Sequence, residues 1–343
     1  MSRVISEVRI VQEIRDSYVI YLPKEWCKNN NITRGSKILL KGRDKRLSLE
    51  PLVEEDKIHD IFLEDFNERI VKYVLISLYV LGHRSIRLIF KRPIATKDRR
   101  VLKNILRLLK GFEIYEEGKN YFIIREISGL SELRHAILKE FNTVLNLIET
   151  LEEILSTYNE RLEDIKIQDI LDSLEELDTE IDISRLEIKR LFNKILEDLS
   201  LDPGIDHKIL TGLVFISSIL ERIGDHIVSV IRIVGEKNIR SQDLSDSLKY
   251  IKKTSNVISR DLDIIFRALQ SEDYSKYLKE RLILLLEELT EIIDLKSKFR
   301  EEIYSNIGVD KELLSYHIMR VFDYLTDIAE YLIDILIEIY VSY

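Results

Sequence analysis

The C-terminal part of the chain, residues 130–343, restricts the fold most, because it has the pattern of helix almost without interruption. Apolar residues recur there at i, i+3, i+4 and i+7, the spacing of one buried helix face. Pro203 is the only proline in this part. We predict six long helices, at about 131–157, 169–200, 206–235, 241–272, 276–306 and 310–341. Short connections between long helices favour antiparallel neighbours, so the sequence predicts helical bundles.

The six predicted helices form two copies of three. The segment Leu220–His226 aligns with Phe322–Ile328 at an offset of 102 residues, and both keep an acidic residue four positions before an aspartate. A repeat with so long a period indicates a duplicated module rather than a solenoid. We therefore predict two tandem three-helix bundles, over residues 130–236 and 237–343.

The repeated motif places two carboxylates side by side, because residues i and i+4 share one helix face. The pairs are Glu221 with Asp225 and Asp323 with Asp327. Like charges at this spacing destabilise a helix by a few tenths of a kcal/mol, so a neighbouring Arg or Lys or a bound cation should offset them. Oxygen ligands favour hard or borderline cations such as Mg²⁺, Mn²⁺ or iron.

With these motifs, the helical part of the chain resembles the PhoU family, whose acid-xxx-Asp motif recurs once in each three-helix bundle. The segment LERIGDHIVSV carries the likeness, while Tyr324 and Thr326 depart from it where Arg and Gly are expected. The resemblance implies an archaeal-type regulator of phosphate uptake that binds metal ions, iron, Mn, Mg or Zn, on its bundle faces. The metal ligands that it implies are Glu221, Asp225, Asp323, Asp327, Asp178, Asp182 and Asp294.

Charge divides the chain near residue 130. Residues 1–130 hold 26 Lys+Arg against 18 Asp+Glu, a net charge of +8, whereas residues 131–343 hold 26 against 43, a net charge of −17. The basic part suits an anionic polymer or surface, and the acidic part suits cations or basic proteins. An acidic face that is merely solvated is the simpler interpretation of the second part.

Residues 1–52, called the head below, predict a small β domain in the order ββ-helix-ββ. Leu22-Pro23-Lys24, a short helix and Arg34-Gly35-Ser36-Lys37 resemble the AbrB/SpoVT swapped-hairpin DNA-binding domain. The resemblance implies that two chains interleave into one barrel. A unit of about fifty residues also buries too little surface to be stable alone. The expected partners are therefore a second copy of this chain, in a homodimer, and DNA.

The head is basic, with 11 Lys+Arg against 6 Asp+Glu. Arg9, Arg15 and Lys24 flank its predicted strands and turn, so we predict that they contact DNA phosphates. The alternative is a module that only dimerises and whose cations are solvated. Residues 53–129 predict a small α/β linker domain without a glycine-rich phosphate loop.

Taken together, the sequence predicts a mainly α protein, with two tandem three-helix PhoU-like bundles behind a swapped-hairpin β domain and an α/β linker domain. We predict a DNA-binding transcriptional regulator of phosphate uptake with metal-binding bundles. The alternative is an adaptor that dimerises through the head and acts on a phosphate transporter or a kinase. A carboxylate-bridged metal enzyme is disfavoured because the motifs lack the Glu-x-x-His pairs of such sites, so no catalytic residue is predicted.

Cys27 is the only cysteine, so no intramolecular disulfide is expected, and an intracellular location is the default. No apolar stretch approaches the ~20 residues that span a bilayer. Residues 1–16 lack the apolar core of a signal peptide. We therefore expect a cytoplasmic protein that does not insert into membranes.

Overall fold

A computed structural model describes residues 7–43, 46–52, 58–127, 133–157, 164–197, 201, 206–237, 244–269, 271–307 and 312–342. Within these residues the chain forms eight strands and nine helices. It divides into two compact units, one built mainly from residues 1–56 and the other from residues 57–197 and 201–343.

The N-terminal unit consists of two short antiparallel hairpins and one short helix. Its elements are β1 Gln12–Ile14, β2 Ser17–Val19, α1 Lys24–Asn29, β3 Ile38–Arg43 and β4 Arg46–Pro51. Pro23 is the N-cap of α1, where its fixed φ suits the start of a helix. The predicted ββ-helix-ββ order is confirmed, although each hairpin is a separate two-stranded sheet.

The second unit begins with a small α/β domain. Its elements are β5 His59–Leu63, α2 Glu68–Val80, β6 Ser85–Phe90, α3 Thr96–Leu106, β7 Phe112–Glu117 and β8 Tyr121–Glu126. The sheet order is β5-β6-β8-β7, with β5 and β6 parallel and the other neighbours antiparallel. Both helices pack into one apolar cluster with the same face of the sheet. The sequence shows the closing hairpin but not β5, because five residues are too few to establish a period.

Six long helices complete this unit. They are α4 Leu133–Thr157, α5 Asp164–Glu197, α6 His207–Lys237, α7 Ser245–Ala268, α8 Glu272–Ile307 and α9 Glu312–Ser342. The first three pack against one another as bundle 1, and the last three do so as bundle 2. The expected mainly α fold with two tandem three-helix bundles is confirmed, and the helices differ from prediction only at their ends.

The two bundles meet along α6 and α9, which run antiparallel. Phe215 stacks on Tyr331 with ring centroids 5.4 Å apart, and further along the seam His226 meets His317. Residues further along α6 therefore contact residues earlier in α9, as expected for an antiparallel pair. A single apolar core runs through both bundles.

The C-terminal half of α5 fixes the α/β domain to bundle 1. Arg190 on α5 is fully buried, donates a hydrogen bond to the backbone carbonyl of Tyr79, and pairs with Glu126 at 3.2 Å. Its guanidinium carbon lies 4.7 Å from the ring centroid of Tyr79 and 4.8 Å from that of Phe112. Lys194 also binds Glu126, at 2.8 Å. This joint is thus a buried charged contact rather than a purely apolar one.

Candidate functional site

The four carboxylates that the sequence assigns to bundle 1 come together in the structure. Asp178 and Asp182 lie on α5, and Glu221 and Asp225 lie on α6. Partial burial, followed by the negative charges of the other three carboxylates, raises the pKa of Asp225 to about 6. Burial and the charge of Asp182 likewise raise the pKa of Asp178. The site is therefore a patch of mutually repelling carboxylates at the α5–α6 contact.

One arginine stands within this patch. The Nη2 atom of Arg185 lies 2.9 Å from Oδ1 of Asp182 and 3.2 Å from Oε1 of Glu221. Asp178 and Asp225 form no ion pair within the described residues. Because Arg185 follows Asp182 by three positions on α5, the ion pair between them could have been predicted from the sequence. Arg185 supplies part of the positive charge that the like-charged pairs require.

Gly224 explains why α5 and α6 approach closely at this patch. A Cβ atom at Gly224 would lie only 2.8 Å from Cδ1 of Ile181. Ile181 precedes Asp182 and Gly224 precedes Asp225, so this contact sets the distance between the two helices at the carboxylates. In α9 the corresponding residue is Thr326, which is buried and donates its hydroxyl to the carbonyl of Asp323 at 2.6 Å.

Bundle 2 repeats the motif without repeating the charge balance. Asp323 is almost completely buried, and Nη2 of Arg300 lies 3.0 Å from each of its carboxylate oxygens. Arg320 lies 3.4 Å from Asp323, and Lys296 lies 3.5 Å from it. The negative charge of Asp323 is thus balanced by the three neighbouring cations of the protein.

The other predicted ligands of bundle 2 are less enclosed. Oδ1 of Asp327 lies 4.0 Å from Nζ of Lys296, and Asp294 is exposed on α8. Across the part of the chain that the structure describes, no three His, Cys, Asp or Glu side chains are arranged to hold a metal ion. The charge balance is more negative in bundle 1, where four carboxylates have Arg185 as their one ion-pair partner among the described residues, than at Asp323 in bundle 2. Metal binding by either bundle stays a prediction.

A buried carboxyl group lies behind the patch of bundle 1. Glu140 on α4 is fully buried, and its oxygens make no hydrogen bond among the described residues. Burial raises the pKa of Glu140 well above its ordinary value, while Ser217 and the charge of Arg185 oppose this rise. Glu140 follows the buried Ile137 by three residues, so it lies on the apolar face of α4. That spacing could have predicted its burial from the sequence.

The two histidines near the motifs contact each other instead of the carboxylates. Nδ1 of His226 lies 2.7 Å from Nδ1 of His317 across the seam between α6 and α9, and both are half-buried. Burial, together with the proximity of His317, lowers the pKa of His226 to about 4. Two neutral rings can share one hydrogen bond at this distance. Sequence spacing shows that each is off the carboxylate face, but it does not reveal this pair.

The three residues predicted to contact DNA are exposed on the head. Arg15 lies in the β1–β2 turn with a φ of +58°, in the left-handed region that favours glycine. Arg9 pairs with Glu7, and Lys24 begins α1. Their exposure leaves them open to a partner, and contact with DNA stays a prediction.

The head also exposes apolar side chains. The exposed fractions are 83% for Ile10, 60% for Leu40 and 58% for Leu47. None of the side chains described at 7–42 and 47–52 is buried. Within the described residues, this unit therefore has no core of its own.

Residues 137–234 match the family model of the PhoU domain. Bundle 1 is similar to the PhoU domain. The matched segment begins in α4 and ends in α6, so it contains all four carboxylates of the bundle 1 patch. No curated protein matches the chain. Among the described helices, none has the length and apolar character that a membrane crossing needs.

Proposed function

We propose that this protein regulates phosphate homeostasis, with bundle 1 as a cation-responsive element and the head as its DNA-binding part. The observation that carries the proposal is the PhoU domain match, because it encloses the carboxylate patch between α5 and α6. PhoU domains are associated with regulation of phosphate uptake, and the proposal extends that role to this chain. The likeness of the head to the AbrB/SpoVT domain adds the DNA-binding part.

In bundle 1, the residues that would hold a divalent cation are Asp178, Asp182, Glu221 and Asp225. A bound cation would supply the positive charge that this patch lacks. Arg185 would have to release Asp182 and Glu221, which would change the contacts between α5 and α6. Bundle 2 is proposed as the weaker site, because Arg300, Arg320 and Lys296 already compensate Asp323.

Metal content and Mn²⁺ binding test this part of the proposal. We would measure both by elemental analysis and equilibrium binding on the full chain, on Glu221→Gln/Asp225→Asn and on Asp323→Asn/Asp327→Asn. We expect the first double variant to lose binding and the second to retain most of it. Unchanged Mn²⁺ affinity in the first variant would exclude the bundle 1 site.

DNA binding by the head is supported by the exposure of Arg9, Arg15 and Lys24. Arg15 is notable because a non-glycine residue at positive φ stores strain, and such strain often accompanies a functional role. Mobility-shift assays at several salt concentrations, with Arg15→Ala and Lys24→Ala, test the assignment. We expect weaker binding with a shallower salt dependence. Unchanged salt-dependent binding in both variants would show that these residues do not contact DNA.

Homodimer formation through the head is supported by its lack of buried side chains. In the β3–β4 hairpin, Leu40 pairs with Leu49 and Gly42 pairs with Leu47, so Leu40, Leu47 and Leu49 share one face. A second copy of the chain would cover this face. We expect Leu40→Glu/Leu47→Glu to be monomeric in analytical ultracentrifugation, and a stable dimer of this variant would refute the assignment.

The second candidate function is an adaptor that does not bind DNA. The exposed apolar face of the head favours this candidate, because the head needs a protein partner to cover that face even if its cations do not bind DNA. Such an adaptor would act on a phosphate transporter or a kinase. Intact dimers without measurable affinity for duplex DNA at low salt would support this candidate against the first.

A further inference from the structure

The outward face of α3, in the α/β domain, carries a row of cations. Lys97, Arg100, Lys103 and Arg107 follow one another at intervals of three or four residues, so they share one side of the helix. All four are exposed, and the last is the C-cap residue. At a rise of 1.5 Å per residue the row is about 15 Å long. We call these four residues the α3 row.

The α3 row is unpaired within the described residues, unlike Arg92 and Arg99 of the same domain. No ion pair joins any of its four members to a described carboxylate. By contrast, Arg92 pairs with Asp65 at 3.2 Å, and Arg99 on α3 pairs with Glu117 at 3.0 Å. The neighbouring cations are thus neutralised by the protein, while the α3 row remains free to attract an external anion.

The other side of α3 holds the row in place. Leu102, Ile105 and Leu106 are buried in the core of the α/β domain. No large apolar side chain is therefore left on α3 to enter a lipid layer, which interfacial helices require. A rigid row of charges without an apolar edge suits a charged polymer better than a membrane surface.

We propose that the α3 row binds the phosphate backbone of duplex DNA. Arg and Lys side chains neutralise backbone phosphates without reading the base sequence. Because the chain carries a net charge of −9, attraction to DNA must come from local basic surfaces rather than from the overall charge. The choice of DNA as the partner rests on the proposed function, whereas the unpaired row does not.

An acidic border limits the direction from which DNA can approach. Lys103 and Arg107 line one side of a groove whose other side is β7, which contributes Glu113 and Glu116. These carboxylates would repel phosphates that approach across β7. The backbone is therefore expected to contact α3 from the side away from β7.

The test compares two triple variants of the full chain that remove equal charge. Arg100→Gln/Lys103→Gln/Arg107→Gln neutralises three of the four row residues. The control, Lys253→Gln/Lys276→Gln/Lys279→Gln, neutralises three cations of the bundles. Affinity for a random-sequence duplex of about 30 base pairs would be measured by fluorescence anisotropy over a range of salt concentrations. Each lost phosphate contact should reduce the slope of log K against log salt by about 0.9. We expect the row variant to bind about 100-fold more weakly at about 0.1 M salt and the control to match the wild type.

The outcomes separate this inference from the proposed function. Wild-type affinity and slope in the row variant would overturn the inference. If only Arg9→Gln/Arg15→Gln/Lys24→Gln loses DNA binding, the inference fails and the head assignment stands. If only the row variant loses it, the inference stands and the head assignment fails. Loss of binding to phosphatidylserine vesicles with unchanged DNA binding would identify an anionic lipid surface as the partner and would also overturn the inference.

Discussion

Replacement of Arg190 by methionine should weaken the joint between the α/β domain and bundle 1. Arg190→Met removes the charge and the guanidinium, and keeps an unbranched apolar side chain that is two atoms shorter. The hydrogen bond to the Tyr79 carbonyl is lost, as are the guanidinium contacts with the rings of Tyr79 and Phe112. Glu126 is not left unpaired, because Lys194 still binds it at 2.8 Å.

The size of this effect follows from the opposing contributions. A hydrogen bond from a charged donor contributes about 1.5–3 kcal/mol, and each desolvated cation–π contact contributes about 2 kcal/mol. Burial of the guanidinium opposes these contributions by several kcal/mol, and methionine carries no such penalty. We therefore expect a net loss of about 2–3 kcal/mol in the free energy of unfolding of the α/β domain.

Arg92→Met is the matched control, because it makes the same substitution at an exposed ion pair. The Arg92 side chain is 79% exposed and pairs with Asp65 at 3.2 Å, and exposed pairs contribute only about 0–1 kcal/mol. Thermal unfolding and amide hydrogen exchange would be measured for both variants. We expect faster exchange across residues 58–127 in Arg190→Met alone, with bundle 2 unchanged. Equal stability of the two variants would refute the argument that burial gives this contact its strength.

Three further predictions concern charge and backbone strain. Burial raises the pKa of Asp261 to about 6 in the folded state, so its charge destabilises the fold above that pH, and this penalty disappears as pH falls toward 4. Asp261→Asn should therefore stabilise the protein by about 2 kcal/mol at pH 7.5 and by little at pH 4, whereas Asp263→Asn, at a more exposed site, should show no such change in urea unfolding. Asp323→Asn should destabilise the protein by about 1–2 kcal/mol, because it removes the carboxylate that three partly exposed cations share. Asp225→Asn should instead stabilise the protein by relieving the repulsion among the four carboxylates. If the urea midpoints of both variants shift in the same direction, the inferred difference in charge balance is wrong. Arg15→Gly should stabilise the β1–β2 turn by about 0.5–1 kcal/mol, since glycine adopts a φ of +58° without strain, and should weaken DNA binding in the same preparation.

The candidate site divides into a part visible in the sequence and a part that is not. The i, i+4 spacing places Glu221 beside Asp225 on any helix, and the structure indeed groups them with Asp178 and Asp182. The sequence does not show that Arg300 and Lys296 reach Asp323 from α8. These contacts depend on how two helices pack, which spacing along one helix does not determine.

The helices of the bundles and the strands of the head could be predicted because their signals are local. Apolar period, prolines and turn residues act within about ten positions, and they determined the element order before any packing was known. These local signals did not predict the short strand β5. They also did not predict the contacts of Arg190, because its partners Tyr79 and Glu126 lie far away in the chain.

The sequence by itself determined that this protein has two similar helical bundles, paired carboxylates in each, and a basic first part ahead of an acidic second part. Only the tertiary structure decided which of those charges are neutralised. Within the described residues, it gave the bundle 1 patch Arg185 as its one ion-pair partner and surrounded Asp323 with three cations. It also left the α3 row without ion-pair partners among these residues. The physical reason is that helix formation depends on neighbours along the chain, whereas the balance of charge at a site depends on side chains that only packing brings within a few ångströms.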